Sequence, residues 1–283
     1  MKILYKKQVI GAGIIIKGRE IMERESIYSQ FKTVTLEKYK TARYEAISKV
    51  SQAILESGLV ETIFLKGSIA RNEDDDFSDV DMYAVVLPEN EKDFLKNRIK
   101  YMTSYMPLIY YSESNFVCPQ IVGVYENALH FDLYTVRISS IPQTDDIKVI
   151  YDKSGDLNSY KKEPLNIASS DVSDYFNMFT YSLLEFEAAY SRGDLIWATG
   201  LASRLTGYIS MVLRYIYDEK NSQLGMKRLY KYLPEAYRDE FIDILNYLTP
   251  SSLEIGVKKL VSFAEKILLS LPFNIKNQIN IDF

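Results

Sequence analysis

Cysteine and histidine are almost absent from this sequence of 283 residues, which contains one of each, Cys118 and His130. A single cysteine allows no intramolecular disulfide and no thiolate metal cluster. A single histidine excludes metal sites built from several histidines and disfavours a histidine-based catalytic triad. We therefore expect any bound metal to be a hard cation held by oxygen ligands.

Long apolar runs and basic stretches are also missing. No run reaches the roughly 18 apolar residues that a membrane-spanning helix requires. Lysines and arginines occur only in short runs, and the formal net charge is −4. A composition with 47% hydrophobic and 25% charged residues is typical of a globular protein. We therefore expect a cytoplasmic protein without a membrane partner, for which stable binding of nucleic acid is disfavoured.

The first 30 residues are interpreted as an N-terminal extension. Basic residues precede a short apolar run, Val9 to Ile16, but no small-residue cleavage site follows, so the segment resembles a signal peptide poorly. Gly11 and Gly13 begin a G-x-G sequence, yet Ile16 occupies the place of the third glycine in a dinucleotide-binding fingerprint. Met22 is an alternative natural start, which the intact mass of the native protein would reveal.

The first half of the chain alternates between helical and extended patterns. Apolar residues recur at helical spacing in two segments and form short bounded runs elsewhere. The predicted helices are Leu36 to Ser57 and Glu89 to Met106, and the predicted strands begin at Val60, Val80, Leu108, Ile121, Leu129 and Ile147. Glu126-Asn127 favours an antiparallel hairpin between two of these strands, and Ile147 to Asp152 is expected at an edge.

From Asp171 onward the pattern is helical throughout. Ser170 or Asp171 is available as the first N-cap, Gly193 as a stop and Asp194 as the next N-cap. Further helical patterns are 226–232, 235–248 and 253–271. We therefore predict an α+β protein with a mixed-sheet domain over residues 31–155, followed by a helical bundle over residues 168–273.

Carboxylates interrupt two of the predicted strands. Because side chains alternate along a strand, Asp79, Asp81 and Tyr83 share one face of the strand in "FSDVDMYAVV", and the apolar residues share the other. Asp132 stands in a similar apolar setting in "LHFDLYTV". If the two strands are neighbours, three carboxylates converge. The three carboxylates repel one another unless a cation lies between their oxygens. Mg²⁺ binds in oxygen-rich sites of this kind.

Gly67-Ser68 follows the preceding strand and suggests an anion site. Glycine permits a sharp turn and a close approach of the backbone to a ligand, and a helix that begins there would direct N–H groups at an anion. The hydroxyl of Ser68 is an additional donor. Two roles are left open for Arg71, a contact with phosphate and a surface ion pair. Two are also left open for Lys66, which could contact phosphate or point to solvent.

The spacing of these motifs resembles that of the polymerase-β-like nucleotidyltransferase superfamily. Gly67-Ser68, ten intervening residues and Asp79-Val80-Asp81 match its glycine-serine turn and aspartate pair, and "GSIAR…FSDVDMY" is similar to the antibiotic nucleotidyltransferases. The resemblance covers about Leu65 to Val136. It implies that Asp79, Asp81 and Asp132 bind two Mg²⁺ ions and carry catalysis, and that the glycine-serine turn holds the triphosphate. Lys66 and Asn72 depart from residues common in relatives.

The resemblance also implies a reaction. The expected enzyme transfers AMP, or another nucleotide, from ATP or another triphosphate to a hydroxyl of a small molecule, such as an aminoglycoside or lincosamide antibiotic. Asp132 is the predicted proton acceptor, with Glu185 or Glu187 as alternatives. Two other functions stay open: adenylylation of a protein or RNA partner, and nucleotide binding without turnover. The oligomeric state is left open between a monomer and a homodimer.

Several other residues carry weaker expectations. The acidic run Asp74 to Asp76 is interpreted as a solvated loop rather than an acceptor-binding site. Tyr181 and Tyr190 are candidates for stacking on a base or acceptor, although packing is the more common role for tyrosine. Trp197 is expected in the core.

Overall fold

The computed structural model describes residues 39–115 and 118–279. The predicted N-terminal extension, and with it the choice between Met1 and Met22, lies outside these residues. The strands are β1 (Val60–Lys66), β2 (Val80–Val86), β3 (Leu108–Ser114), β4 (Gln120–Tyr125), β5 (His130–Val136) and β6 (Lys148–Asp152). The α-helices are α1 (Tyr39–Glu56), α2 (Gly67–Ala70), α3 (Pro88–Met102), α4 (Ser169–Ser191), α5 (Leu195–Tyr217), α6 (Glu235–Asn246), α7 (Leu253–Ser270) and α8 (Phe273–Lys276).

The six strands form one mixed sheet in the order β3-β4-β5-β2-β1-β6. Only β2 and β5 pair in parallel, and the other neighbours are antiparallel. The expected hairpin between β4 and β5 and the expected edge position of β6 are both confirmed. The parallel pair lies in the middle of the sheet, where it aligns the two strands that carry the aspartates.

Helices α1 and α3 cover one face of this sheet. Ala46, Val50 and Ile54 follow one another at four-residue spacing on α1 and are fully buried, as expected for the apolar side of an amphipathic helix. They join a core with inward-facing strand residues such as Met82 and Phe131. The opposite face, to which the aspartates belong, is therefore the face on which a site can form.

The second half of the described chain consists of helices with a core of its own. The buried residues of that core lie between Ile167 and Ile279, and none is shared with the core of the sheet. Gly193 adopts φ +73° between α4 and α5, and Asp194 Oδ1 accepts a hydrogen bond of 3.1 Å from the N–H of Trp197. The predicted α+β class, with a mixed sheet followed by helices, is confirmed.

The N-terminus of α4 differs from the prediction. The helix begins at Ser169 after Ala168, so neither Ser170 nor Asp171 is the N-cap. Asp171 lies within the first turn and accepts a hydrogen bond of 2.7 Å from the N–H of Ala168. The carboxylate satisfies a free backbone donor, as a cap does, but from inside the helix.

Two further predictions about the helical half are wrong. Residues 226–232 form turns and a short 3₁₀ helix, Leu229–Lys231, instead of an α-helix. Arg228 adopts φ +59°, a left-handed conformation that an α-helix excludes. Trp197 is not in the core, since 49% of its surface is exposed.

No helix among the described residues is both long and apolar enough to cross a bilayer.

Candidate active site

The register of the parallel strands places two of the predicted carboxylates side by side. Asp81 on β2 pairs directly with Asp132 on β5, and Asp79 immediately precedes β2. Val80 and Met82, which alternate with the aspartates, are fully buried on the helix-covered face. The alternation predicted from the sequence is therefore present, and the prediction that the two strands are neighbours is confirmed.

The carboxylate of Asp81 lies in a strongly unfavourable electrostatic environment. Burial first, and then the nearby charges of Asp79 and Asp132, raise its pKa from the usual value to about 6. Lys227 and His130 oppose this shift only partly. The site thus concentrates negative charge that the surrounding side chains do not neutralise, and a bound cation would relieve it.

Asp132 is buried and is oriented by neighbouring polar groups. Its Oδ2 accepts hydrogen bonds from Gln120 Nε2 at 2.8 Å and from Tyr134 Oη at 3.4 Å. His130 Nε2 lies 3.0 Å from the other carboxylate oxygen, and this hydrogen bond raises the pKa of His130. The contacts fix the position of Asp132. Sequence reasoning missed Gln120 and Tyr134, although Tyr134 lies two residues from Asp132 on the same strand.

The turn at Gly67 requires glycine for two reasons. Its φ of +69° is a conformation that other residues adopt at a cost. In addition, a Cβ atom at this position would overlap with Oδ2 of Asp81. The turn is therefore in direct contact with Asp81. We name Asp79, Asp81 and Asp132 together the aspartate row. Ser68 follows in α2 and is buried.

A basic cavity of about 160 Å³ lies beside Ser68. Five cationic side chains line it, against one carboxylate. The lining residues are Ser68, Arg71, Glu73, Arg214, Leu224, Lys227, Arg228, Lys231 and Tyr232. Because α2 is only one turn long, side chains rather than a helix dipole supply the positive charge that the sequence analysis expected from a helix N-terminus. The short basic run "MKRLYK" at residues 226–231 is the sequence signal for this wall, but nothing local in the sequence links it to the glycine turn.

The two candidate phosphate ligands near the turn have different environments. Arg71 lines the cavity, but it is also paired with Asp145 and, at 3.0 Å, with Glu73. Lys66 does not line the cavity. It is buried and donates hydrogen bonds to the carbonyl oxygens of Pro142, at 2.7 Å, and Thr144, and burial lowers its pKa.

The acidic run before Asp79 is not a solvated loop as predicted. Arg43, fully buried on α1, contacts Asp74 Oδ2 at 2.7 Å, and Arg228 contacts Asp75 Oδ2 at 2.8 Å. Only Asp76 lacks such a partner in the described part of the chain and is exposed. The loop that leads into the aspartate row is therefore held from both sides by arginines.

The helical candidates lie elsewhere. Glu187 and Tyr190 line a separate groove of about 960 Å³ between α4 and α7, and Tyr190 stacks on Phe186 with 5.6 Å between ring centroids. Glu185 lies 3.9 Å from Arg204, and Tyr181 is 50% exposed. None of these four candidates lines the basic cavity.

The aspartates suit Mg²⁺ by their chemistry. Within residues 39–115 and 118–279, no three His, Cys, Asp or Glu side chains are already arranged to hold a metal ion. The raised pKa of Asp81 nevertheless reflects its burial and the repulsion from Asp79 and Asp132, and a hard cation would remove that repulsion. Asp79, Asp81 and Asp132 are therefore the residues that fit such an ion.

No protein-family model matches the chain, and no curated protein is significantly similar to it. The resemblance to nucleotidyltransferases depends on the motifs between Leu65 and Val136. The site is therefore interpreted from its own geometry and charge.

Proposed function

We propose that the protein is a Mg²⁺-dependent nucleotidyltransferase. It would move AMP, or another nucleotide, from ATP or another triphosphate to a hydroxyl of a small molecule, with release of pyrophosphate. One observation carries this proposal: the paired carboxylates of Asp81 and Asp132 adjoin a cavity lined by Ser68 and five cations. A metal-bound triphosphate requires both an acidic group and a basic one, at a short distance from each other.

The basic cavity is the proposed site of the triphosphate. Arginine binds phosphate oxygens through its planar set of donors, and lysine binds them as a point charge. Lys227 is close enough to lower the pKa of Asp81. It would therefore lie near the junction between the phosphates and the aspartates. Ser68 adds a neutral donor at the glycine turn.

Asp79, Asp81 and Asp132 would hold the magnesium, and the resemblance implies two ions. When bound, Mg²⁺ neutralises phosphate charge and acts as a Lewis acid at the reacting phosphorus. The protein contributes the fixed positions of the carboxylates, since the parallel register of β2 and β5 sets the separation of Asp81 and Asp132.

In the proposed reaction, the hydroxyl oxygen of the acceptor attacks the α-phosphorus. A new P–O bond forms, the bond from the α-phosphorus to the bridging oxygen breaks, and pyrophosphate leaves with that electron pair. Asp132 accepts the hydroxyl proton, and Gln120 and Tyr134 hold its carboxylate in place. The resemblance points to an aminoglycoside- or lincosamide-type antibiotic as acceptor.

The test is transfer of label from α-³²P-labelled triphosphates, with Mg²⁺ and a panel of antibiotics. We expect label in a small product, and we expect Asp81→Asn to abolish it. Asp76→Asn is the matched control, because Asp76 belongs to the same acidic segment but is exposed. Label found only on protein or RNA would support the alternative acceptors. Tight nucleotide binding without pyrophosphate release would support a silent nucleotide-binding protein.

A further inference from the structure

A continuous row of side chains crosses the sheet from the aspartates to the edge strand. Asp81 pairs with Asp132, Asp132 pairs with Val122 on β4, and Val122 pairs with Ser112 on β3. Side chains of directly paired residues lie on the same face of a sheet. Residues two positions away from Val122 and Ser112 point to the same face, so Val124 and Tyr110 also lie on the aspartate face, as do Gln120 and Ser114. We name the residues of β3 and β4 in these rows the acceptor face: Tyr110, Ser112, Ser114, Gln120, Val122 and Val124.

The acceptor face is open to solvent. On the other face of β4, Ile121 and Tyr125 are fully buried under α3. Val122 and Val124 are only partly buried, and Tyr110 is 55% exposed. This surface is therefore available to a ligand, and it begins immediately beside Asp132.

The acceptor face carries no charge of its own. The only charged residue in β3 and β4 is Glu113, whose paired partner Ile121 lies on the helix-covered face. Glu113 is also 3.3 Å from Arg98 of α3. On the other side of the aspartates lies the cavity with five cations. A ligand with several ammonium groups would find no carboxylate on the acceptor face itself, and the charge of the three aspartates at its edge would be offset by the proposed Mg²⁺.

We propose that the acceptor binds on the acceptor face and is an amphipathic, hydroxylated molecule of low charge rather than a polycation. This inference rests on the proposed nucleotidyl transfer. Tyr110, Val122 and Val124 would contact the apolar part of the acceptor, while one of its hydroxyls reaches Asp132. The hydroxyl of Ser112 makes no hydrogen bond within the described residues, so it is free to bind a second polar group. Ser114 already donates a hydrogen bond to Gln120, and Gln120 donates one to Asp132.

The first test compares two neighbouring tyrosines. Tyr110 and Tyr111 are each 55% exposed, but their paired partners place them on opposite faces of β3. We expect Tyr110→Ala to raise the KM for the acceptor about tenfold and Tyr111→Ala to leave it unchanged. The dissociation constant for Mg²⁺-ATP should be unchanged in both variants. Equal effects of the two substitutions would overturn the assignment of this face.

The second test concerns the charge of the acceptor. The probes are an alkyl glucoside and a lincosamide, which carry little charge, and kanamycin, which is a polycation. We expect transfer to at least one of the first two and not to kanamycin. Val124→Asp should weaken that transfer about tenfold or more, whereas Val149→Asp, on the edge strand β6 and 47% exposed in the native protein, should not.

The results separate this inference from the proposed function. Transfer to kanamycin alone, or to protein or RNA alone, would overturn the acceptor inference and leave nucleotidyl transfer in place. A wild-type protein that neither binds Mg²⁺-ATP nor labels any acceptor would overturn both.

Discussion

The two halves of the candidate site differ in how their charges are positioned. The acidic half lies on β2 and β5, where hydrogen-bonded strands hold Asp81 and Asp132 together despite their repulsion. The cations of the helical region lie on turns and at a helix end, and one of them, Arg228, has a left-handed backbone. The hydrogen bonds of a sheet can hold two carboxylates close together although they repel each other. Long cationic side chains on an irregular backbone can instead change position to contact a ligand. We therefore expect the acids to determine the chemistry and the cations to determine the affinity for the donor.

The largest expected effect concerns the acidic half. Asp81→Asn removes a proposed metal ligand at the centre of the row, and we expect nucleotidyl transfer to fall by about 10³-fold or more. Binding of the triphosphate without Mg²⁺ should change little, because the cationic cavity is intact. Steady-state kinetics and equilibrium binding measure the two properties. Residual activity near the wild-type level would remove Asp81 from the mechanism.

The same carboxylate predicts how the stability of the metal-free protein depends on pH. The pKa of Asp81 is about 6 in the folded protein and about 3.9 in an unfolded chain. Between these values unfolding releases a proton, so the free energy of unfolding falls as pH rises from about 4 to 6 and is then constant. The expected loss is about 3 kcal/mol.

Urea denaturation across this pH range tests that sign. The free energy of unfolding of Asp81→Asn should not show this fall between pH 4 and 6. The variant should be more stable than the wild type above pH 6. Added Mg²⁺ should stabilise the wild type but not the variant. A wild-type protein that gains stability between pH 4 and 6 relative to Asp81→Asn would contradict the raised pKa of Asp81.

The contact between turn and aspartate row can be broken with one methyl group. Gly67→Ala forces a Cβ against Asp81 at φ +69°, and we expect a loss of about 2 kcal/mol in the free energy of unfolding. Gly200→Ala, in α5 with no atom near its Cβ position, is the matched control. It should be stabilised by about 0.5–1 kcal/mol. Thermal and urea unfolding measure the stability of both variants relative to the wild type.

The smallest effect is expected in the cationic half. Arg228→Met removes hydrogen bonds to the carbonyl of Glu73, to Asp75 and to Ser78. We expect a loss of about 1–2 kcal/mol in the free energy of unfolding together with weaker ATP binding. Lys231→Met removes another cavity cation and should weaken ATP binding with little change in stability. Identical stability of both variants would show that Arg228 does not hold the loop.

The acidic half was predictable because its pattern is local. Residues two apart on a strand share a face, so Asp79 and Asp81 are visible in the sequence as a pair, and Gly67 as a turn. The position of Asp132 required one further inference, that its strand adjoins β2. The structure confirms that inference through the parallel pairing of β2 and β5, which the hairpin between β4 and β5 does not by itself specify.

The basic half could not be predicted in the same way. Arg214, Lys227 and Lys231 follow Ser68 by about 150 residues, and only tertiary packing brings them to the same cavity. Asp74 and Asp75 read as solvated for the same reason, since their partners Arg43 and Arg228 lie on distant elements. Trp197 was misplaced because residue type alone does not tell which side of a helix faces the core.

Arg228 holds Asp75 and also lines the cavity proposed for the triphosphate, so a single guanidinium would serve two anionic groups. Its donors hold the loop before Asp79, and the same side chain forms part of the cavity wall. A phosphate that enters the cavity competes with Asp75 for these donors. Under the proposed function, occupancy by the donor and attachment of the loop would therefore be thermodynamically linked, and each would alter the free energy of the other by the same amount.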